Sequence, residues 1–320
     1  MIKPSKRDFF KKLPKVLLAT FNGFSEDKGL KLSAALAYYT VFSIGPLLLL
    51  LMSLASIFFG QEATEGKIFG ELNGLLGASA AAQVQEIIKN IRFSGKTNFA
   101  LVTSIVTLII GATSVFVEIQ DSLNMIWKLK AKPKRGWVAF LRNRLLSSSL
   151  IISLGFLLVV TLVVNGAVEA LMDKLSRYFS SITEILMVGI NLIITFIVIT
   201  VLFGIIFKFL PDAKIKWRHV RTGAIFTAIL FMIGRYIIGL YIRQTATEST
   251  YGAAGSIVVI LVWIYYSSVI LYIGAEFTQV YTEAFGGSIE PAEYAVHVQQ
   301  KEVEKEVDKL PPQHKEELKK

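Results

Sequence analysis

Apolar residues in this chain fall into long unbroken runs, not the short alternating segments of a soluble fold. Six runs, near 34–58, 98–121, 145–171, 183–207, 221–243 and 255–281, each reach the ~20 residues a helix needs to cross ~30 Å of hydrocarbon. The pattern predicts an all-α polytopic membrane protein, a bundle of six transmembrane helices. Ahead of it, Phe9, Phe10, Leu13, Val16, Leu17 and Phe21 recur at helical spacing opposite Lys11, Lys12 and Lys15, which predicts an amphipathic helix lying on an anionic membrane surface. The expected organisation is a cytoplasmic N-terminal amphipathic segment over 1–33, a six-span domain over 34–283 and a charged cytoplasmic tail over 284–320. The loop at 59–97 repeats Leu72, Leu75 and Leu76, then Val84, Ile87, Ile88 and Ile91, as two short amphipathic helices on the outer face would. The tail alternates acids with lysines around Pro311 and Pro312 and has little apolar surface to bury, so a solvated helix that loses order is expected there.

Composition agrees with this class: 53% of the residues are hydrophobic and the mean hydropathy is +0.55, too apolar for ordinary soluble domains. The basic N-terminus is followed by VLLATFNGF, which lacks a small-x-small cleavage site and so does not read as a cleaved signal peptide. A net charge of +10 would suit nucleic acid, but its distribution has a simpler cause. Lys and Arg number 8, 7, 5 and 6 in the segments on one side of the spans and 4, 2 and 1 on the other. That alternation places both termini in the cytoplasm, and no nucleic-acid partner is expected. Trp127, Trp137 and Trp217 fall at the expected cytoplasmic edges and Tyr178, Tyr241 and Tyr251 at the outer ones, as an aromatic belt would.

Polar side chains in hydrocarbon are costly unless they face protein or water, so their spacing marks inward faces. In the expected cytoplasmic halves, Thr103, Thr107, Gly111, Ser114, Glu118 and Asp121 form one stripe, and Tyr265, Val269, Tyr272, Glu276, Gln279 and Glu283 another. The first span adds Tyr38, Tyr39, Thr40 and Ser43, with Pro46 behind them. Pro46 leaves the carbonyl of Phe42 without its helical donor, so a bend is expected there. It serves either as the hinge of a cavity mouth lined by Tyr38, Tyr39, Thr40 and Ser43 opposite Glu118 and Glu276, or as a static kink that shapes packing. In the outer halves, Asn165, Asn191 and Arg235 each sit seven or eight residues from their span ends, ~10 to 12 Å deep at 1.5 Å per residue. Arg235 reads either as a fixed cation for an anionic or amphiphilic substrate or as the structural partner of Glu169 or Glu184. Glu118, Asp121 and Glu276 read either as cavity carboxylates or as groups bonding helix ends.

Known catalytic signatures are missing from the sequence: it has no HExxH, GxSxG or Walker A loop, its three histidines (His219, His297, His314) are scattered, and it has no cysteine. No metal centre, cofactor or enzyme activity is therefore expected.

Four segments, LSAALAYYTVFSIGPLLLL, IQDSLNMIW, FLPDAKIKWRHVRTGA and YGAAGSIVVILVWIYYSSVILYIGAEF, together resemble the YihY/BrkB family of bacterial inner-membrane proteins over most of 25–285. The resemblance implies a six-span helical protein of the bacterial inner membrane. Some members carry the label ribonuclease BN, others a virulence or serum-resistance label, and movement of lipids or other envelope components has been suggested. Its pattern points to Ala35, Tyr38, Tyr39, Ser43 and Pro46, to Asp121, Asn124 and Trp127, and to Tyr251, Gly252, Gly255, Gly274 and Glu276, without catalytic roles. The combined expectation is a transporter or flippase-like protein for an amphiphilic or anionic envelope component, with membrane lipids as partners. The alternatives are a non-transporting scaffold for envelope assembly and, last, the ribonuclease.

The charge alternation predicts that reporters fused after Gly60 and Lys174 face away from the cytoplasm and one fused after Lys130 faces it. A cytoplasmic signal from either of the first two overturns the topology.

Overall fold

The computed structural model describes residues 6–42, 114–132, 180–246 and 252–299. Helix α1 runs Lys6–Glu26 and α2 from 29 to 42, where its described stretch ends. Helix α3 occupies 114–126 and is followed by strand β1, Leu129–Ala131. Next come α4 (Ser180–Phe209), β2 (Ala213–Lys214), α5 (Trp217–Ala246) and α6 (Gly252–Ala284), then β3 (Glu290–Pro291) and β4 (Ala295–His297). Among the described residues three helices are long and apolar enough to cross a membrane, through Leu192–Phe209, Trp217–Ile238 and Ile260–Ala284. The expected third span, the outer loop, Ser43, Pro46 and Asn165 lie outside the described residues.

Helices α5 and α6 are antiparallel and interlock through two copies of one device. A Cβ at Gly223 on α5 would overlap Oγ1 of Thr278, and a Cβ at Gly274 on α6 would overlap Oγ1 of Thr227. Each threonine therefore seats on the bare backbone of the opposite helix, which brings the helix axes close. The hydroxyls are satisfied at home: Thr227 donates to the Gly223 carbonyl at 2.8 Å and Thr278 to the Gly274 carbonyl at 2.7 Å. The rings of Phe226 and Phe277 stack beside this contact at 3.8 Å, and the Tyr266 ring end lies against Gly234 farther along. On its other side α5 places Ala224 against Gly204 of α4.

Helix α1 runs antiparallel to the end of α6. The Lys12 ammonium donates to the Ala284 carbonyl at 3.0 Å and lies over the Phe285 ring, while Gly23, eleven residues later, leaves room for the Glu276 carboxylate. Val16, Thr20 and Phe24, spaced by four, form its buried face, whereas Leu18 and Phe21 are exposed. The sequence pattern had placed Phe21 and Val16 on one apolar face; packing against α6 separates them, because the small Thr20 and Gly23 suit a close helix contact better. Lys28 then turns the chain in the left-handed conformation (φ 56°) and α2 begins at 29, so the expected boundary at 33 falls inside a helix.

All four strands lie at one end of the bundle, the end carrying Lys128, Lys130, Lys214, Lys216 and Arg218. Strand β4 pairs antiparallel with β1, Leu129 opposite His297, and β3 with β2, Ala213 opposite Pro291. The chain from 290 to 297 is thus stitched to two loops; the charged stretch beyond 299, where a solvated helix is expected, lies outside the described residues. Asp212, 3% exposed, fastens the arrangement. Its carboxylate accepts from Gln120 (3.1 Å) and Asn124 (2.9 Å) on α3 and from the Tyr294 hydroxyl (2.8 Å), and its backbone N–H donates to Asn124 Oδ1 at 2.9 Å. The Asp212 carbonyl receives the Ala292 N–H at 2.9 Å. Trp127, expected at a membrane edge, packs inward: it is 3% exposed, and its indole N–H donates to the Ala275 carbonyl of α6 at 3.1 Å.

Two predictions follow from these contacts. Gly274→Ala forces Thr227 aside and destabilises the detergent-solubilised protein by about 1–3 kcal/mol; adding Thr227→Ala removes the obstructing side chain and recovers most of the loss in thermal unfolding. Asp212→Ala strands three donors, at about 1–3 kcal/mol for each left unpaired, and frees the tail, so chymotrypsin cuts after Tyr294 far faster than in the parent. Lys214→Ala, which removes only the exposed pair with Glu293, leaves that cleavage unchanged.

Candidate functional site

The two faces of α6 differ in how well their polar groups are satisfied. Gly274, Phe277, Thr278 and Tyr281 face α5, and both threonine and glycine positions are closed there. On the opposite side, Tyr272, Glu276 and Gln279 follow each other at steps of four and three, which brings them onto one stripe ~10 Å long. Tyr272 is fully buried and Glu276 is 6% exposed. The Tyr272 hydroxyl, Glu276 Oε2 and Gln279 Oε1 are buried without a hydrogen-bond partner among the described residues.

Helix α3 supplies a fourth such atom. Ser122 Oγ, also buried, sits beside the Tyr272 hydroxyl, close enough for the two hydroxyls to interact, and neither has a further partner among the described residues. Glu118, half-buried, is one turn earlier on the same helix. Around the Glu276 end stand Gly23 of α1 and the ion pair between Lys128 and Asp27, which joins the turn after α3 to the turn after α1. Lys128 takes the left-handed conformation (φ 53°) where α3 gives way to β1, and this turns its ammonium toward Asp27. Buried polar groups are nearly always hydrogen-bonded, so two open acceptors, Glu276 Oε2 and Gln279 Oε1, beside the Tyr272 and Ser122 hydroxyls mark a place suited to water or to a polar ligand.

The residues singled out from the sequence divide in three. Tyr272, Glu276 and Glu118 come together in this stripe. Tyr38 and Tyr39 are exposed on α2, their rings edge to edge at 5.9 Å with Tyr38 also against Phe42, and Thr40 donates to the Leu36 carbonyl at 2.7 Å. Asp121 is exposed, Tyr265 half-buried, and Arg235 half-buried with no ion pair among the described residues. Asn191 lies in α4, but its side chain, like those of Glu169 and Glu184, is outside what is described. Sequence reasoning missed Ser122, which reads as an ordinary helix-end serine, and Asp212, which reads as a turn residue after Pro211. A second missed group is His219, 2% exposed, whose Nδ1 has no partner while Nε2 lies 3.2 Å from the Arg218 guanidinium. Among the described residues no three His, Asp or Glu side chains converge as a metal site would need.

Comparison with known proteins bears on the same region. A family model described as Virulence factor BrkB matches residues 20–296, from the middle of α1 through β4. A UPF0761 membrane protein of Alkalilimnicola ehrlichii is 27% identical over 264 residues, 80% of this chain and 56% of that one. Its namesake in Azotobacter vinelandii is 25% identical over 258 residues, 80% of this chain and 60% of its own. A third, from Pseudoalteromonas atlantica, is 25% identical over 276 residues, 84% and 87% of the two chains. The chain thus spans less than two thirds of the first two relatives. No solved structure matches it.

Proposed function

The chain belongs to the BrkB family of membrane proteins, and from that premise we propose that it is a non-enzymatic transporter or flippase-like protein of the bacterial inner membrane, moving an amphiphilic component of the envelope. In this reading both termini are cytoplasmic, and the polar head of the amphiphile enters at the basic end of the bundle. The observation that carries it is the orphan stripe: Tyr272, Glu276 and Gln279 on α6 with Ser122 on α3. Polar atoms without partners persist in a membrane protein where water or a polar substrate reaches them. The pair α5–α6, closed by its glycines and threonines, supplies the rigid wall of such a path, and the α3 and α1 side supplies its lining.

The scaffold reading is favoured by one observation, the same closed α5–α6 contact, which is what a purely structural bundle would show throughout. Because the sequence has no cysteine, single introduced cysteines distinguish the two. Ser122→Cys and Gln279→Cys, in membranes, are expected to react with a water-soluble maleimide at least tenfold faster than Thr278→Cys, which faces α5. Proteoliposomes of the unsubstituted protein are expected to exchange labelled phospholipid between leaflets faster than empty vesicles. Three equally inert cysteines together with no acceleration would leave the scaffold.

A further inference from the structure

The orphan stripe has a definite chemical preference. Its unpartnered atoms among the described residues are Oε2 of Glu276 and Oε1 of Gln279, flanked by the adjacent hydroxyls of Tyr272 and Ser122. Beside an ammonium Glu276 is held as a carboxylate, whose oxygens, like an amide oxygen, only accept hydrogen bonds, and hydroxyls accept as readily as they donate. Glu118 adds a second carboxylate one turn from Ser122. Lys128, the cation facing Glu276, is already held by Asp27. A phosphate or sulfate placed here would meet oxygens of its own kind, and what the stripe lacks is donors.

We infer that the stripe binds the ammonium group of an amine-bearing headgroup, with N–H donors directed at Glu276 and Gln279 and the alcohol or ester oxygen of the headgroup turned to the Tyr272 and Ser122 hydroxyls. An ammonium offers three donors and a charge that makes each bond to a carboxylate about twice as strong as a neutral one. Glu276, 6% exposed, and Tyr272, fully buried, are one helical turn apart, about 6 Å by helical rise, which a short amino-alcohol spans. The inference rests on the amphiphile reading above and narrows it from an anionic to an amine-bearing, zwitterionic headgroup. The same chemistry is offered by a phosphatidylethanolamine headgroup and by a free amine such as ethanolamine.

The test is thermal unfolding of the purified full chain in a non-ionic detergent, titrated separately with phosphatidylethanolamine, phosphatidylglycerol and ethanolamine. A ligand that binds the folded state raises its melting temperature with concentration. Phosphatidylethanolamine is expected to act at concentrations about tenfold lower than phosphatidylglycerol, and Glu276→Gln to abolish that preference. Stabilisation by ethanolamine as well makes the amine sufficient; stabilisation by the lipid alone assigns the ligand to the bilayer. Equal stabilisation by the two lipids, or a preference that survives Glu276→Gln, overturns the inference. Should that variant not fold, Tyr272→Phe combined with Ser122→Ala decides, and an undiminished preference overturns it. Maleimide labelling of Ser122→Cys and Gln279→Cys in the same preparations separates the two ideas. A reactive stripe with no amine preference removes the amine alone, whereas an inert one removes the transport reading too.

Discussion

Taking a carboxylate out of water costs several kcal/mol unless its lone pairs are filled, and the fold of the basic end is arranged around filling those of Asp212. Gln120 and Asn124 come from α3, Tyr294 from the tail, and Asp212 itself from the turn after α4. Three segments far apart in sequence are fixed by one side chain, and Asn124 grips it twice by accepting from the Asp212 N–H as well. Once that knot is tied, the tail over 290–297 is held in extended pieces. Its backbone groups pair with β1 and β2, and α3 is held at the position where Trp127 reaches the Ala275 carbonyl and Ser122 faces Tyr272.

Helix α6 is consequently a boundary between two kinds of packing. Toward α5, threonines fill the space over glycines and return their hydroxyls to their own helix, so both hydroxyls of that contact are satisfied and the helices close on each other. Toward α3 and α1, Glu276 Oε2 and Gln279 Oε1 have no partner among the described residues, and the Tyr272 and Ser122 hydroxyls have only each other. Each unpaired buried group costs about 1–3 kcal/mol, a large share of the ~5–15 kcal/mol that holds an ordinary domain folded. A sequence that needed only a tight bundle would carry Phe, Leu, Ala and Leu at those places. The difference between the two faces of one helix argues for function more strongly than either face alone.

Periodicity and charge made the helices legible. The runs at 183–207, 221–243 and 255–281 lie within α4, α5 and α6, because a span must be apolar for ~20 residues whatever its neighbours are. The stripe through Tyr272 and Glu276 was equally visible, since helical spacing alone puts those residues on one face. Ser122 and Asp212 were not, because a serine at a helix end and an aspartate after a proline are the residues a solvated turn would also use. Only their burial, 2% and 3% exposed, distinguishes them. The strands of the tail were hidden for a related reason: a two- or three-residue strand has no period to detect, and its stability lies entirely in the partner it meets.

The sequence by itself determined that the chain is a helical membrane protein, which faces of its helices are polar, and which end is basic, since each follows from local composition and a fixed helical repeat. The tertiary structure decided which polar groups are satisfied and which are left open. Glu276 and Asp212 are both buried acids, and nothing local separates them. Three donors from other segments reach Asp212, while Gly23 brings Glu276 only space and leaves its Oε2 without a partner among the described residues. Whether a buried polar atom is structural or available to a ligand is a property of what surrounds it in space, and that is set by long-range packing.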